Sequence, residues 1–173
     1  MKSRDFVPNA TERFIAAGSY IISTTDLKGR ITSVNDTLVD LSGFSRAELI
    51  GTHHNILRHP DMPRAVFAMA WATITGGEDF SGYIKNLCKD GSFYWVFAHI
   101  VVQTDAEGEL AGFRSVRRAA SRTAVSTIEP VYVAMCAAEQ AAGARDAITA
   151  GSEVLCAFLR QRGQSYAQMV ATL

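Results

Sequence analysis

The pattern of apolar and polar positions changes twice along the chain, and each change marks a different predicted secondary structure. Residues 19–34 are rich in β-branched residues around the turn letters DLKG, which predicts a β-hairpin. Residues 80–119 hold three further β-rich runs, separated by Asp90-Gly91 and by a turn at residues 105–108. The predicted order is therefore two strands, several helices and three strands.

The segment between the second and third strands carries helix-capping signals. Asn35 suits the N-cap of a short helix that Gly43 would end, and Ser45 with Glu48 forms a capping box for a second one. Pro63 suits the first position of a longer helix, RAVFAMAWATIT, whose apolar residues share one side. Two short helices and one longer helix are expected here, and the longer one needs a large apolar partner.

Both ends of the chain are predicted to be helical. Residues 4–16 have Phe6, Phe14 and Ile15 among charged residues, which predicts a short helix broken around Pro8 within an N-terminal cap of residues 1–18. Residues 123–173 are rich in alanine, with interrupting glycines, and predict two or three helices. The core domain is then expected to span residues 19–122.

Charge and composition narrow the class of protein. Seventeen basic and seventeen acidic residues give no net charge, which argues against a nucleic-acid partner. No apolar run is long enough to span a bilayer, so no membrane span is expected. Three widely spaced cysteines and a polar N-terminus indicate reduced thiols and a cytoplasmic location.

The stretch HHNILRHPDMP concentrates three of the four histidines in eleven residues. A zinc site usually adds a distant second pair of ligands, and His99 stands alone in a predicted strand, so a metal site is disfavoured. Catalysis is also disfavoured, because Cys88 has no marked base and the chain has neither a GxSxG motif nor a P-loop. The protein is therefore expected not to be an enzyme.

A cofactor pocket explains the same residues better. The imide edge of a flavin needs an amide-like partner, and Asn86 lies in a strand, where a buried amide is costly without one. Arg58 and His59 could hold phosphates, His54 could contact an adenine, and Asp61 could pin Arg58 or His59 or bind a ribose hydroxyl. These residue types alone leave flavin and haem both open.

The element order and the motifs together resemble a known family. The letters TTDLKGRITSVNDTLVDLSGFSRAELIG resemble a PAS domain, and NILRHPDMP, GYIKNLCKDGSFYWV and GFRSVRRAAS are similar to PAS sensors of the aerotaxis transducer type. The resemblance implies an α+β PAS fold, with a five-stranded antiparallel sheet and short helices on one face. It also implies bound FAD, held or supported by eight residues. These are Asn35, His54, Arg58, His59, Asp61, Phe67, Trp71 and Asn86.

The sequence departs from this family in two places. Phe80 stands where the family often has tryptophan, so one pocket wall is expected to be smaller or differently polar. Family members continue into membrane and signalling segments, so the chain is expected to be either the sensor portion of a receptor or a stand-alone PAS protein. The stretch THHNILRHPD lacks the photoreactive cysteine of light-sensing LOV domains, which argues against adduct photochemistry.

The resulting hypothesis is a sensor of redox state or oxygen in signal transduction. Reduction of FAD changes the hydrogen bonds at the flavin edge, an amide such as Asn86 can respond by rotating, and the sheet and flanking helices transmit the change. A homodimer is expected, with an unidentified downstream partner. Two alternatives stay open: a haem-binding gas sensor with His53, His54 or His59 as axial ligand, and a cofactor-free interaction module.

Overall fold

The computed structural model describes residues 6–173, which form an antiparallel sheet with helices around it. The strand order is β2-β1-β5-β4-β3, so β2 and β3 are the edges. The strands are β1 (Ile21–Thr25), β2 (Ile31–Val34), β3 (Phe80–Leu87), β4 (Phe93–Thr104) and β5 (Leu110–Ala119). The helices are α1 (Asp36–Ser42), α2 (Arg46–Leu49), the 3-10 helix His54–Leu57, α3 (Arg64–Thr75), α4 (Arg122–Arg162) and α5 (Tyr166–Thr172). The predicted α+β architecture with a five-stranded antiparallel sheet is confirmed.

The residues predicted to cap helices α1 and α2 do so in the structure. The Asn35 side chain accepts from the backbone N–H of Leu38, and Gly43 ends α1 with a left-handed φ of 73°. Ser45 and Glu48 form the reciprocal capping box of α2. Pro63 is the N-cap of α3, one position before the expected start of the helix.

The two faces of the sheet carry different layers. Residues such as Asn86 and Ala98 lie on the inner face, which α3 and the 3-10 helix cover and which also lines a cavity. Lys85 precedes Asn86 on β3 and therefore lies on the outer face, because successive strand residues alternate. Its cross-strand partner Trp95 lies on the same face. On the outer face the Trp95 ring stacks on Tyr132 of α4, with 6.2 Å between ring centroids.

The N-terminal segment differs from the prediction. Residues 6–18 form no helix, and the rest of the predicted cap, residues 1–5, lies outside the described residues. Pro8 lacks an N–H group and favours extended backbone before it, which disfavours a helix here. The segment pairs instead with the turn between β3 and β4 and with the start of β4. The backbone N–H groups of Asn9 and Arg13 donate to the carbonyls of Gly91 and Phe93, at 2.8 and 2.7 Å.

The C-terminal residues are helical, as predicted. Helix α4 is interrupted at Gly143, whose φ of 74° is left-handed, and α5 follows after Gly163. The Tyr132 hydroxyl donates to the carbonyl of Tyr83 on β3 at 2.9 Å, so α4 reaches the β3 edge of the sheet. Within residues 6–173, no helix combines the length and the hydropathy needed to cross a bilayer.

Candidate functional site

A cavity of about 350 Å³ lies between the inner face of the sheet and helix α3. Four α3 residues at helical spacing form one wall: Phe67, Ala70, Trp71 and Ile74. The volume is within the range of small-molecule pockets, and the wall is apolar, as such pockets usually are. The cavity can therefore accept a flat apolar group.

Trp71 stands at the rim of this cavity. Its side chain is 40% exposed, and its ring packs edge-on against Phe113 of β5, with 5.6 Å between centroids. Gly29, in the β1–β2 turn with a φ of 74°, lies so close that an added Cβ would be 2.9 Å from the Trp71 ring. A side chain at position 29 would therefore have to displace the tryptophan.

A polar cluster forms the opposite end of the cavity. Arg117 of β5 is only 2% exposed, and its guanidinium contacts the Ser23 hydroxyl and, at 3.3 Å, the Nε2 atom of His54. His54 Nε2 also lies 3.1 Å from the Ser23 hydroxyl. Burial and the Arg117 charge lower the pKa of His54 to about 3, so its imidazole is neutral at physiological pH.

Three buried polar atoms beside this cluster make no hydrogen bond of regular geometry with a described residue, although the Asn86 amide lies close enough to the Tyr94 hydroxyl to affect its pKa. They are the Asn86 Nδ2 atom, the Tyr94 hydroxyl and the Arg117 Nε atom. Asn86 and Tyr94 face each other across the β3–β4 ladder. A buried donor without a good partner is costly, so the two of these groups that line the cavity, on Asn86 and Arg117, indicate a ligand with hydrogen-bond acceptors.

The charge of the cavity lining points the same way. Lys28, Arg58 and Arg117 are among the twenty described residues that line it, and none of the twenty is an aspartate or glutamate. Arg117 also forms no ion pair with a described carboxylate. A buried cation is stable only with a partner of opposite charge or good acceptors, so the lining favours an anionic or carbonyl-rich ligand.

Five of the eight residues singled out from the sequence line this cavity. They are His54, Arg58, Phe67, Trp71 and Asn86. Arg58 lies over the Phe67 ring, with its guanidinium carbon 4.8 Å from the centroid, and donates to the Met62 carbonyl at 2.7 Å. The sequence motif and the helix after it therefore build the same wall.

Asn35 lies apart from the cavity and organises the backbone. Its side-chain oxygen accepts from the N–H groups of Ile22 and Leu38, and its amide nitrogen donates to the Tyr20 carbonyl at 2.8 Å. These bonds tie the start of α1 to β1. Asn35 thereby supports the strand that carries Ser23 into the polar cluster.

His59 and Asp61 also lie outside the main cavity. Asp61 pairs with Lys85 of the outer face at 2.8 Å, and the His59 ring packs edge-on against Phe93. Burial lowers the pKa of His59, against the opposing effect of Asp61. His59 lines a second cavity of about 270 Å³ with Phe6, Arg58, Pro60 and Leu87.

The segment of residues 58–63 thus passes over the β3 edge. Arg58 forms an isolated antiparallel bridge with Asn86, and the backbone N–H of His59 donates to the Lys85 carbonyl at 3.4 Å. The stretch covers free backbone groups of an edge strand and leads into α3. Its residues therefore divide between the cavity and the outer side of the domain.

Sequence reasoning missed three residues of the polar cluster and its surroundings: Ser23, Tyr94 and Arg117. Strand alternation in GFRSVRRA gave the only available signal, because it places Phe113, Ser115 and Arg117 on one face, and an arginine on the same face as phenylalanine is unusual. In the part of the chain that the structure describes, no group of three or more His, Cys, Asp or Glu side chains could hold a metal.

Comparison with known proteins decides the family. The family model described as "PAS fold" matches residues 31–117, which is half of the chain. The chain belongs to the PAS family. This PAS domain is 44% identical over 121 residues to the aerotaxis receptor of Escherichia coli K12, a match that covers 70% of the chain and 24% of the receptor. The chain thus spans about a quarter of the length of that relative.

Solved structures agree on the fold. This PAS domain superposes on a PAS domain from Colwellia psychrerythraea with a TM-score of 0.54 and 24% identity, covering 60% of this chain and 87% of that one. It also superposes on a light-oxygen-voltage domain described with a flavin analogue, with a TM-score of 0.56 and 22% identity, covering 63% and 82%. At these identities the likeness is one of fold.

Proposed function

We propose that this PAS domain binds FAD and senses redox state or oxygen in signal transduction. The observation that carries the proposal is the buried Arg117, which forms no ion pair with a described carboxylate and lies beside the buried Asn86 amide at the end of an apolar cavity. The relationship to a receptor for aerotaxis supports the signalling role. In this proposal the domain acts as a sensor and not as an enzyme.

The residues present fit the ring system of a flavin. The α3 wall of Phe67 and Trp71 offers an apolar surface for a flat ring, and the imide edge of a flavin has carbonyl acceptors for Arg117 and Asn86, which both line the cavity. Burial raises the pKa of Tyr94, which keeps the hydroxyl next to Asn86 protonated. The polar end of the cavity would therefore recognise the ring edge.

The nucleotide portion of FAD is too large to share a cavity of about 350 Å³ with the ring. The exposed Lys28 and His53 lie at the rim, and Arg58 lines both cavities. Cationic groups and imidazoles are suitable partners for a pyrophosphate. We assign these residues to the nucleotide, and His59 with Asp61 to holding the segment that carries Arg58.

When bound, the flavin supplies reversible electron uptake. The side chain of Asn86 can offer either its carbonyl or its amide group by rotating, so it can follow a change in hydrogen-bonding demand at the cavity. Asn86 lies on β3 next to Lys85, which contacts Glu129 of α4 at 3.5 Å. Strand β3 is therefore the proposed path from the cavity to the C-terminal helices.

We further propose that the domain acts as a homodimer in a reducing, cytoplasmic compartment. The three cysteines in the described residues are all free thiols, which is compatible with that compartment. Exposed apolar side chains at Val7, Phe14 and Tyr20 offer a contact surface. Sedimentation that shows a monomer at tens of micromolar protein would contradict the dimer.

An absorption spectrum of the purified domain, before and after reconstitution with FAD, tests the cofactor. We expect the two visible bands of an oxidised flavin, and release of FAD, identified by chromatography, on heating. A single intense Soret band would instead establish haem. A protein that stays colourless after reconstitution with FAD would indicate a cofactor-free interaction module.

A further inference from the structure

The side chain of Glu139, on the C-terminal helix α4, reaches the first turn of the cavity helix α3. Its two carboxylate oxygens accept from the backbone N–H groups of Arg64 and Ala65, at 2.8 and 2.9 Å. Glu139 is only 8% exposed. A buried carboxylate is stable in this place because two N–H donors bind it directly.

Among residues 6–173, no side chain other than Glu139 caps helix α3. The N-cap residue Pro63 makes no side-chain hydrogen bond to the helix, and the first turn contains no acidic residue. The first N–H groups of a helix lack partners within it, and they carry partial positive charge. Glu139 therefore supplies from a distant part of the chain what the local sequence of α3 does not.

The second half of α4 completes the same junction. An added Cβ at Gly151 would lie 2.5 Å from the Glu139 carboxylate and 3.1 Å from the Cβ atom of Ala65. Gly151 lies beyond the interruption at Gly143, so both halves of α4 meet α3 at one point. Only a residue without a side chain leaves room for the Glu139 carboxylate here.

We propose that Glu139 is a latch that couples docking of the C-terminal helices to the state of the cavity. Ala65 lies two positions before Phe67 on a continuous helix, and Trp71 follows one turn later, so a shift of the first turn moves the cavity wall. The identity of the cavity ligand rests on the proposed function; the latch itself rests on the contacts of Glu139.

Coupling of this kind is reciprocal. If the latch positions α3 for the ligand, then the ligand strengthens the latch by the same factor. Loading the cavity should therefore hold α4 more firmly, and opening the latch should weaken ligand binding. The carboxylate of Glu139 binds the backbone of Arg64 and Ala65, and neither residue lines the cavity. Glu139 therefore acts as a positioning residue.

The test compares Glu139→Gln, Glu139→Ala and Gly151→Ala with the control Glu153→Gln, which alters an exposed glutamate on the same helix. FAD affinity is measured by titration, and amide hydrogen exchange of α3 and α4 is measured with and without FAD. If Glu139→Ala does not fold, Gly151→Ala serves as the decisive variant. Alanine favours helix, so this change disturbs only the contact with Glu139 and Ala65.

We expect at least about fivefold weaker FAD binding in the latch variants, the lower end of typical couplings. We also expect faster exchange at Arg64, Ala65 and α4, and slower exchange in wild type after FAD loading. FAD affinities within twofold of the control would overturn the proposal, even if exchange becomes faster, because the cap would then be merely structural. If wild type binds no FAD, the proposed function fails alone, and the latch is decided by exchange in the ligand-free variants: faster exchange that extends along α3 to Phe67 and Trp71 supports it, and faster exchange confined to Arg64 and Ala65 overturns it.

Discussion

Two buried cations, Lys85 and Arg117, lie on opposite faces of the same sheet in opposite surroundings. Lys85 on the outer face contacts Asp61 at 2.8 Å and Glu129 at 3.5 Å, and lies over the Phe93 ring. Arg117 on the inner face has neutral neighbours, the Ser23 hydroxyl and the His54 imidazole. One cation is neutralised by the protein, and the other is not.

This difference shows how a structural charge can be distinguished from a ligand-binding one. On the outer face, Lys85 already has two carboxylate partners and lies over an aromatic ring, so its charge is balanced by residues of the chain. The inner face has partly satisfied polar groups beside an open cavity, an arrangement that costs stability unless a ligand completes it. The comparison predicts that changes on the outer face act on folding, and changes on the inner face act on ligand binding.

The two tryptophans of the chain test this comparison with the largest expected effects. Trp95 is 6% exposed and stacks on Tyr132, so Trp95→Ala should lower the free energy of unfolding by about 3–5 kcal/mol. Trp71 is 40% exposed, so Trp71→Ala should cost only about 1–2 kcal/mol but weaken FAD binding more than tenfold, by about 1.4 kcal/mol or more. Urea unfolding and FAD titration measure both. Equal effects of the two changes on both measurements would break the comparison.

Arg117→Met should separate binding from stability most cleanly. Loss of a charged hydrogen-bond donor to the flavin edge should weaken FAD binding by about 10- to 100-fold. The ligand-free protein should unfold at the same or a higher urea concentration, because a buried charge without a carboxylate partner is removed. The FAD affinity and the unfolding midpoint of the ligand-free protein are measured on the same preparation.

Arg118→Met is the matched control for Arg117→Met. Arg118 is the next residue on β5, is exposed, and lies over the Phe97 ring on the outer face, 4.5 Å from its centroid. The Arg118→Met variant should retain wild-type FAD affinity. If Arg117→Met also retains it, the ligand is not held at the polar end of the cavity.

The polar cluster also predicts a pH dependence. The pKa of His54 is lowered from 6.5 to about 3 in the folded protein, so the unfolded chain binds one more proton between these values. Stability should therefore fall as the pH drops below about 6.5, by about 1.4 kcal/mol per pH unit at most for this group. Unfolding free energies of wild type and His54→Gln across this range should diverge, with the steeper loss in wild type. Parallel curves would show that His54 is not desolvated.

Lys85→Met should have the smallest effect. The side chains of Asp61 and Glu129 are 56% and 44% exposed, so their charges stay hydrated when the lysine is removed. The free energy of unfolding should fall by about 1 kcal/mol, and FAD affinity should stay within about twofold. The same urea and FAD titrations apply. A large loss of FAD binding with little change in stability would place Lys85 with the inner-face residues.

Local features of the fold were readable from the sequence because they depend on near neighbours. Asn35, Ser45 and Glu48 cap helices through residues three positions away, and strand alternation follows from a period of two. The N-terminal segment was the exception. Its residue types allow a helix, but its backbone forms bonds with Gly91 and Phe93, about eighty residues distant.

Only part of the candidate site could be predicted from the sequence. Phe67 and Trp71 follow from helical spacing, and Arg58 and Asn86 follow from the motif and from the cost of an amide in a strand. His59 and Asp61 belong to the same motif but lie beyond the β3 edge, because the chain passes over that edge at Arg58. A motif fixes which residues are neighbours in sequence, but not which side of a sheet each one reaches.

The order of elements, the helix caps and the motif of a PAS domain can all be predicted from the amino-acid sequence. These depend on contacts within a few residues, which the chain encodes directly. The contacts of Arg117 with Ser23, 94 positions away, and of Glu139 with Ala65, 74 positions away, are visible only in the folded structure. Such pairs arise from strand order and helix packing, so they appear only once the whole chain has folded.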